Sequence, residues 1–188
     1  MDEERSSACE AILPAVNAER PFVLLLTGAP GAGKSEAMTR VHDNLADGGI
    51  DSAAIDVDQL ARTYPPLARN RHLAHLSALS ESFRQLGHQL LVVAAAAESN
   101  DELRAWLEAA GAERRYVVHL IAGPATLERR LLERENLEWS GMPELLESAR
   151  RMSTVRFDDA DLELDTENLA REEVAGAVET QLRLRFQK

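Results

Sequence analysis

One short segment near the N-terminal end of the sequence has the composition of a phosphate-binding loop. It satisfies the pattern G-x-x-x-x-G-K-S and reads Gly28-Ala29-Pro30-Gly31-Ala32-Gly33-Lys34-Ser35. Small residues let the backbone curl around a phosphate, so that successive N–H groups point inward. Lys34 adds a positive charge for the outer phosphates, and the Ser35 hydroxyl can ligate Mg²⁺. We therefore expect this segment to bind a nucleoside triphosphate together with magnesium.

Two aspartates follow a second apolar run. Asp56 and Asp58 lie at its end, and ligand-binding residues of open parallel sheets lie beyond the carboxyl ends of strands. We expect Asp56 to hold the magnesium ion, and Asp58 to contact the substrate and accept the proton of an attacking hydroxyl. The third apolar run has no acidic residue before Glu98, which favours the second strand as the source of the metal ligand. Aspartate is also a preferred helix N-cap, so one or both could serve only that purpose.

A later amphipathic stretch carries two arginines on one face. Arg130 and Arg134 are four residues apart, so on a helix they point the same way and could neutralise charge on a transferred phosphoryl group. Their spacing also fits a solvated helix laced with glutamates. The stretch leads into 135–143, which could close over a bound nucleotide as a lid or form an ordinary helical hairpin turn.

Further arginines flank a proline-containing segment after the second strand. Arg62, Arg69 and Arg71 lie around Pro65 and Pro66, which predict a loop at this position. We expect Arg62 to contact an anionic group of the substrate, although arginines without such a role are common on protein surfaces. The loop would lie beside the carboxylates that end the second strand.

These residues need a scaffold of alternating strands and helices. Short apolar runs predict strands at 22–26, 53–57, 89–95, 116–121 and 162–164. Amphipathic stretches predict helices at 34–46, 69–86, 100–109, 125–136, 144–156 and 169–184. Ser99 and Glu102 match a capping box, and 1–20 is expected to form an N-terminal helical extension. The alternation predicts an α/β fold, with a five-stranded parallel sheet covered by helices on both faces.

The composition is typical of one globular domain. The 188 residues are 45% hydrophobic, which suits a single core and one domain spanning 1–188. The formal net charge of −11 is spread along the chain and argues against binding to nucleic acid. The apolar runs are too short for a membrane span, and the single Cys9 cannot form an internal disulfide, so we expect a cytoplasmic protein. A monomer and a homodimer are both compatible with this composition.

With these residues in hand, the chain resembles the small-molecule kinase branch of P-loop NTPases. That branch includes adenylylsulfate, shikimate and gluconate kinases, chloramphenicol phosphotransferase and zeta-toxin kinases. The resemblance rests on the phosphate loop at 28–35, the D-x-D segment at 56–58 and the L-x-x-R-L-x-x-R spacing at 127–134. Leu164-Asp165-Thr166 is similar to the loop beside the adenine in these kinases, which implies that Thr166 lies near the base. The adenylylsulfate-kinase segment after strand four and the long insertions of zeta toxins are not recognisable here, so neither substrate is carried over.

The resemblance implies a three-layer, nucleotide-kinase-like P-loop fold and a defined activity. The expected activity is ATP-dependent transfer of a phosphoryl group to a hydroxyl of a small molecule, with Lys34, Arg130, Arg134 and Asp58 as catalytic residues. An NTP-binding or NTP-hydrolysing regulator is an alternative, although the Asn-Lys-x-Asp segment of guanine-binding switches is absent. A polynucleotide 5′-hydroxyl kinase would share the same loop and D-x-D segment, but it would usually need a basic track for the strand.

Overall fold

Five parallel strands form one sheet in the computed structural model, which describes residues 22–60, 68–88, 90–136 and 138–186. The strands are β1 (Phe22–Gly28), β2 (Ser52–Asp56), β3 (Leu90–Ala94), β4 (Arg114–Ile121) and β5 (Leu162–Asp165). Their order across the sheet is β2-β3-β1-β4-β5, and neighbouring strands are parallel. The predicted parallel sheet is thereby confirmed. The predicted extension at 1–20 and Arg62 lie outside the described residues.

Two of the inner strands of the sheet, β1 and β3, are buried along their whole length. Every residue of β1 and of β3 is buried, in keeping with strands that are covered on both faces. Strands β2 and β5 lie at the two edges of the sheet, and more exposed residues alternate with more buried ones along both. The difference explains why the central strands appear in the sequence as continuous runs of leucine and valine.

Helices cover both faces of this sheet. In the described ranges they are α1 (Lys34–Asp47), α2 (Arg69–Gln85), α3 (Asn100–Ala109), α4 (Pro124–Arg134), α5 (Met142–Met152) and α6 (Arg171–Phe186). One buried cluster joins the sheet to α1, α4, α5 and α6, and a second joins the opposite face to α2 and α3. The predicted three-layer arrangement is confirmed. None of the helices in the described ranges is long and apolar enough to cross a membrane.

The start of α3 follows the predicted capping box only in part. The backbone N–H of Glu102 donates to Ser99 Oγ at 3.2 Å, as an N-cap serine requires. The Glu102 carboxylate, however, does not complete the box on Ser99. It accepts instead from the backbone N–H of Glu98, with Oε2 at 2.5 Å from the nitrogen. Glu102 therefore connects the first turn of α3 to the chain segment that follows β3.

Two boundaries near the expected site differ from their predicted positions. Strand β2 ends at Asp56 rather than Val57, because Asp56 Oδ1 accepts from the N–H of Asp58 and turns 57–59 into a short 3₁₀ helix. Helix α4 ends at Arg134 because Glu135 adopts an extended conformation. The proposed lid at 135–143 therefore comprises the connection between two helices and the start of α5, and its closure stays a prediction.

Candidate active site

The phosphate loop joins β1 directly to α1. Gly28 ends β1 with a φ of +143°, and Gly33, with a φ of +96°, precedes Lys34 at the first position of α1. A Cβ atom on Gly28 would lie 2.3 Å from the carbonyl oxygen of Leu120 in β4, so a side chain is excluded there. The loop thus has the curled backbone that its sequence predicts, placed at a helix N-terminus that can bind anions.

Lys34 lies inside the loop and is 7% exposed. Its Nζ donates to the carbonyl oxygen of Ala29 at 3.2 Å. Burial lowers the pKa of Lys34, and the negative charges of Asp58 and Asp56 oppose that shift. Arg134 lowers the pKa further by repulsion. Two carboxylates and an arginine from separate elements are therefore within electrostatic reach of the Lys34 amine, and their roles in a reaction stay predictions.

The two aspartates occupy the carboxyl end of β2 but differ in their surroundings. Asp56 is half-buried and lies opposite Ala94 in the register with β3, whereas Asp58 is exposed. Asp56 Oδ1 accepts from the N–H of Asp58 at 3.0 Å, so the capping role that the sequence left open is real for Asp56. This bond engages one oxygen of the carboxylate. Among the residues that the structure describes, the second oxygen of Asp56 and the Asp58 carboxylate have no hydrogen-bond partner and remain for a ligand.

The residues present fit a magnesium ion bound together with phosphates. Ser35 is exposed at the second position of α1, and Asp56 offers a carboxylate oxygen at the carboxyl end of β2, one strand removed from β1. Within the described ranges, no group of three or more His, Cys, Asp or Glu residues could hold a metal ion. Mg²⁺ in phosphoryl-transfer sites usually takes one or two protein ligands and completes its shell with phosphates and water. One hydroxyl and one carboxylate meet that need.

Arg130 is used differently from the way its spacing suggested. Its Nη2 donates to the carbonyl oxygen of Thr166 at 2.6 Å, and its Nη1 donates to Thr166 Oγ1 at 3.1 Å and to the carbonyl oxygen of Gly31 at 3.4 Å. Thr166 is 1% exposed, and its hydroxyl donates to the carbonyl oxygen of Ile121 at 3.0 Å. Arg130 therefore ties the loop after β5 to the phosphate loop. Contact of Arg130 with phosphate, and of Thr166 with a base, stay predictions.

Arg134 is the freer of the two arginines on α4. Its side chain is 60% exposed and pairs with Glu135 at 2.6 Å. Exposed pairs of this kind are weak because water screens both charges. The guanidinium of Arg134 can therefore leave Glu135 for a more highly charged partner, and its influence on the pKa of Lys34 places it near the phosphate loop.

Glu167 is a structural contributor that the sequence did not indicate. Its Oε2 accepts from the N–H of Gly123 at 2.7 Å, and its Oε1 accepts from the hydroxyl of Thr126. The hydrogen bond from Thr126, followed by that from Gly123, lowers the pKa of the Glu167 carboxyl. A carboxylate from the loop after β5 thus caps the start of α4, where the helix dipole favours negative charge. Sequence spacing gives no signal for a contact between residues this far apart along the chain.

The hydrogen bonds of Arg130 predict how a conservative change should act. Arg130→Lys keeps the charge but loses the planar fork that reaches Thr166 and Gly31 together. We expect the free energy of unfolding to fall by about 1–2 kcal/mol, measured by urea denaturation. Arg134→Lys is the matched control, and its stability should be unchanged. Unchanged stability of Arg130→Lys with a large loss of activity would instead place the Arg130 guanidinium on the phosphates.

These features define a class of protein. A five-stranded parallel sheet with this strand order, and a glycine-rich loop between β1 and α1, form a P-loop NTPase domain with the layout of the small-molecule kinases. A family model described as an AAA domain matches residues 23–150, and the chain belongs to that family. A search of curated proteins finds no match to the sequence.

Solved structures share this fold. A sugar kinase from Janibacter sp. HTCC2649 is 16% identical with a TM-score of 0.63, over 87% of this chain and 94% of the other. An APS kinase from Mycobacterium tuberculosis, solved with AMPPNP and APS, is 20% identical with a TM-score of 0.61, over 87% and 97%. Shikimate kinase from Acinetobacter baumannii is 16% identical with a TM-score of 0.55, over 94% and 97%. The predicted resemblance to the small-molecule kinase branch is confirmed at the level of the fold.

Proposed function

We propose that this protein is an ATP-dependent kinase that phosphorylates a hydroxyl group of a small molecule. The observation that carries the proposal is the phosphate loop between β1 and α1, with Lys34 buried in it and with Asp56 and Asp58 at the carboxyl end of β2 on the same edge of the sheet. A phosphate-binding loop with an exposed carboxylate beside it is the arrangement that phosphoryl transfer to a hydroxyl requires. The kinases that share the fold, one of them solved with AMPPNP, support this choice.

Each residue has a definite task in the proposed reaction. The triphosphate lies along the loop, and Lys34 and Arg134 neutralise charge on the transferred group. The acceptor oxygen forms a bond to the γ-phosphorus while the bond to the ADP oxygen breaks, and the hydroxyl proton passes to Asp58. Magnesium, held by Ser35 and Asp56, would add positive charge at the phosphates. Arg130 stabilises the phosphate loop through its hydrogen bonds to Gly31 and Thr166.

Two alternative functions receive less support. A regulator that binds nucleotide without an acceptor would need no free carboxylate at the end of β2, whereas Asp58 is exposed there. A polynucleotide 5′-hydroxyl kinase would need unpaired cations leading to the site. Arg69 and Arg151, which lie on the same side of the molecule, are each paired with a glutamate. A small acceptor in the cytoplasm therefore remains the better proposal.

Substitution of Asp58 tests this proposal directly. We expect Asp58→Asn to lower kcat for transfer to a hydroxyl acceptor by about a hundredfold, because the amide cannot accept the proton. The measurement is γ-phosphate transfer from ATP to a panel of nucleosides, sugars, amino alcohols and aminoglycosides. Asp51→Asn is a suitable control, since Asp51 is exposed just before the opposite end of β2.

The same experiment can contradict the proposal. If the wild-type protein phosphorylates nothing in a broad panel, and Asp58→Asn leaves basal ATP hydrolysis untouched, the protein is not a kinase of small hydroxyl compounds. A regulator would then show nucleotide binding that is independent of Asp58. Transfer confined to the 5′ end of an oligonucleotide would identify the polynucleotide alternative.

A further inference from the structure

Four charged side chains form a cluster beyond the carboxyl end of β3. They are Arg69 at the start of α2, Glu98 after β3, Glu102 in the first turn of α3 and Arg151 near the end of α5. Arg69 pairs with Glu102, and Arg151 Nη2 lies 2.8 Å from Glu98 Oε1. Glu102 also accepts a hydrogen bond from the backbone N–H of Glu98, and this bond joins the two ion pairs. We call these four residues the charged cluster.

The charged cluster lies on the same edge of the sheet as Asp56. In the register of β2 with β3, Asp56 lies opposite Ala94, the last residue of β3. The next residue, Ala95, donates its N–H to the carbonyl oxygen of Leu26 in β1 at 3.1 Å. The chain leaving β3 therefore passes between the carboxylates and the phosphate loop before it reaches Glu98. An acceptor held by the charged cluster would lie at the same edge of the sheet as Asp58.

Trp106 packs against Arg69 and thereby supports the charged cluster. The Arg69 guanidinium lies over the ring of Trp106 at 5.2 Å from the ring centre, and the Trp106 indole N–H donates to the carbonyl oxygen of Ala96 at 2.9 Å. The side chains of Arg69, Glu98 and Arg151 are 46%, 44% and 55% exposed. Guanidinium and carboxylate groups have more donors and acceptors than one ion pair uses. The unused ones face solvent and can form hydrogen bonds to a ligand.

One buried hydroxyl near the carboxyl end of β1, that of Thr27, has unused hydrogen-bonding capacity. Thr27, the last residue but one of β1, is fully buried. Its hydroxyl has no hydrogen-bond partner among the residues that the structure describes. By the alternation along β1 it faces the side of α2 and α3, as Val23 and Leu25 do. A buried hydroxyl without a partner is unusual, and Thr27 comes directly before Gly28, the first residue of the phosphate loop.

We propose that the charged cluster binds the acceptor and that it selects a neutral, polyhydroxylated compound of the sugar or cyclitol type. The proposal rests on the kinase function proposed above. Each arginine of the cluster is paired with a glutamate, so the cluster has no net charge. An anionic group would have to displace Glu102, which is only 16% exposed, from Arg69 and leave that carboxylate without its partner. A hydroxyl can instead donate to a carboxylate and accept from a guanidinium while both ion pairs stay formed.

This inference departs from what the arginines alone suggested. The sequence predicted that Arg62, in the same segment as Arg69, would meet an anionic substrate. Arg69 is committed to Glu102 and to the ring of Trp106, which removes it from that role. The partners of an arginine, rather than its presence, decide which charge the site accepts.

Matched acceptors separate this inference from the proposed function. Glucose and inositols would be compared with gluconate, glucose 6-phosphate and inositol phosphates in γ-phosphate transfer from ATP. We expect kcat/KM to be at least about tenfold higher for the neutral member of each pair. Preference for the anionic members would overturn the inference and leave the kinase function standing. Transfer to neither member of any pair, while another acceptor of the broad panel is phosphorylated, would overturn the inference alone, and transfer to no acceptor of the broad panel would overturn the proposed function as well.

Variants of the charged cluster give a second measurement. We expect Arg69→Gln and Glu102→Gln each to raise KM for the preferred acceptor by about tenfold, with KM for ATP unchanged. Arg104→Gln is the matched control. Arg104 lies on α3, as Glu102 does, and it pairs with Asp159 at 2.8 Å, outside the cluster. Thermal midpoints and ATP affinity of all three variants verify folding. An acceptor KM that is the same in Arg69→Gln and Arg104→Gln would overturn the inference.

Discussion

Lys34→Met is expected to lower kcat by about a thousandfold, the largest effect on activity that this structure predicts. Lys34 is buried in the phosphate loop, and it faces the two carboxylates that end β2. Methionine fills a similar volume but carries no charge, so the phosphates and the carboxylates would repel one another without a cation between them. The measurement is kcat for transfer to any active acceptor, together with the affinity for ATP.

A surface cation on the same helix provides the control for this prediction. Arg40 lies on α1 and pairs with Glu36 at 2.8 Å. The two side chains are 34% and 40% exposed. Arg40→Met should change kcat by less than about twofold, because exposed ion pairs of this kind are weak. If Lys34→Met retained most of the activity, the triphosphate would have to bind elsewhere than in the phosphate loop.

Gly28→Ala is expected to cause the largest loss of stability, about 3 kcal/mol or more in the free energy of unfolding. The new Cβ would lie 2.3 Å from the carbonyl oxygen of Leu120. That oxygen belongs to the backbone of β4, whose register with β1 pairs Gly28 with Leu120, so neither strand can yield cheaply. Urea denaturation of the variant and the wild type measures the difference.

A second glycine in the same loop distinguishes the effect of a steric contact on stability from the effect of a strained backbone conformation. Gly33 also has a positive φ, of +96°, but nothing lies within 4 Å of the Cβ that alanine would add. Gly33→Ala should therefore cost only about 1 kcal/mol, the lower end for a strained backbone conformation. Equal losses for the two variants would show that the close approach to Leu120 does not determine the stability of this loop.

The sequence predicted the scaffold well because its signals are local. The apolar runs of β1 and β3 show their burial directly, and the phosphate loop is recognisable from eight consecutive residues. The carboxylates Asp56 and Asp58 could be placed beside this loop because the carboxyl ends of parallel strands meet at one edge. The effect of both on the pKa of Lys34 agrees with that placement.

The partners of individual side chains could not be predicted in the same way. Arg130 and Arg134 share a helix face and look equivalent in the sequence, yet Arg130 bonds to Thr166 and Gly31 while Arg134 pairs with Glu135. The cap that Glu167 places on α4 spans 44 residues of chain. Such contacts depend on how loops from different elements approach one another, and no spacing rule within one element contains that information.

The burial of Lys34 also bears on chemical labelling of this protein. The chain has two lysines, Lys34 and Lys188, and of these only Lys34 lies in the described ranges. Because burial lowers its pKa, a larger fraction of this amine is uncharged, and therefore nucleophilic, than in an ordinary lysine at the same pH. An acylating nucleotide analogue bound along the phosphate loop would thus meet the one lysine of the described ranges, in a protein whose other cations are almost all arginines.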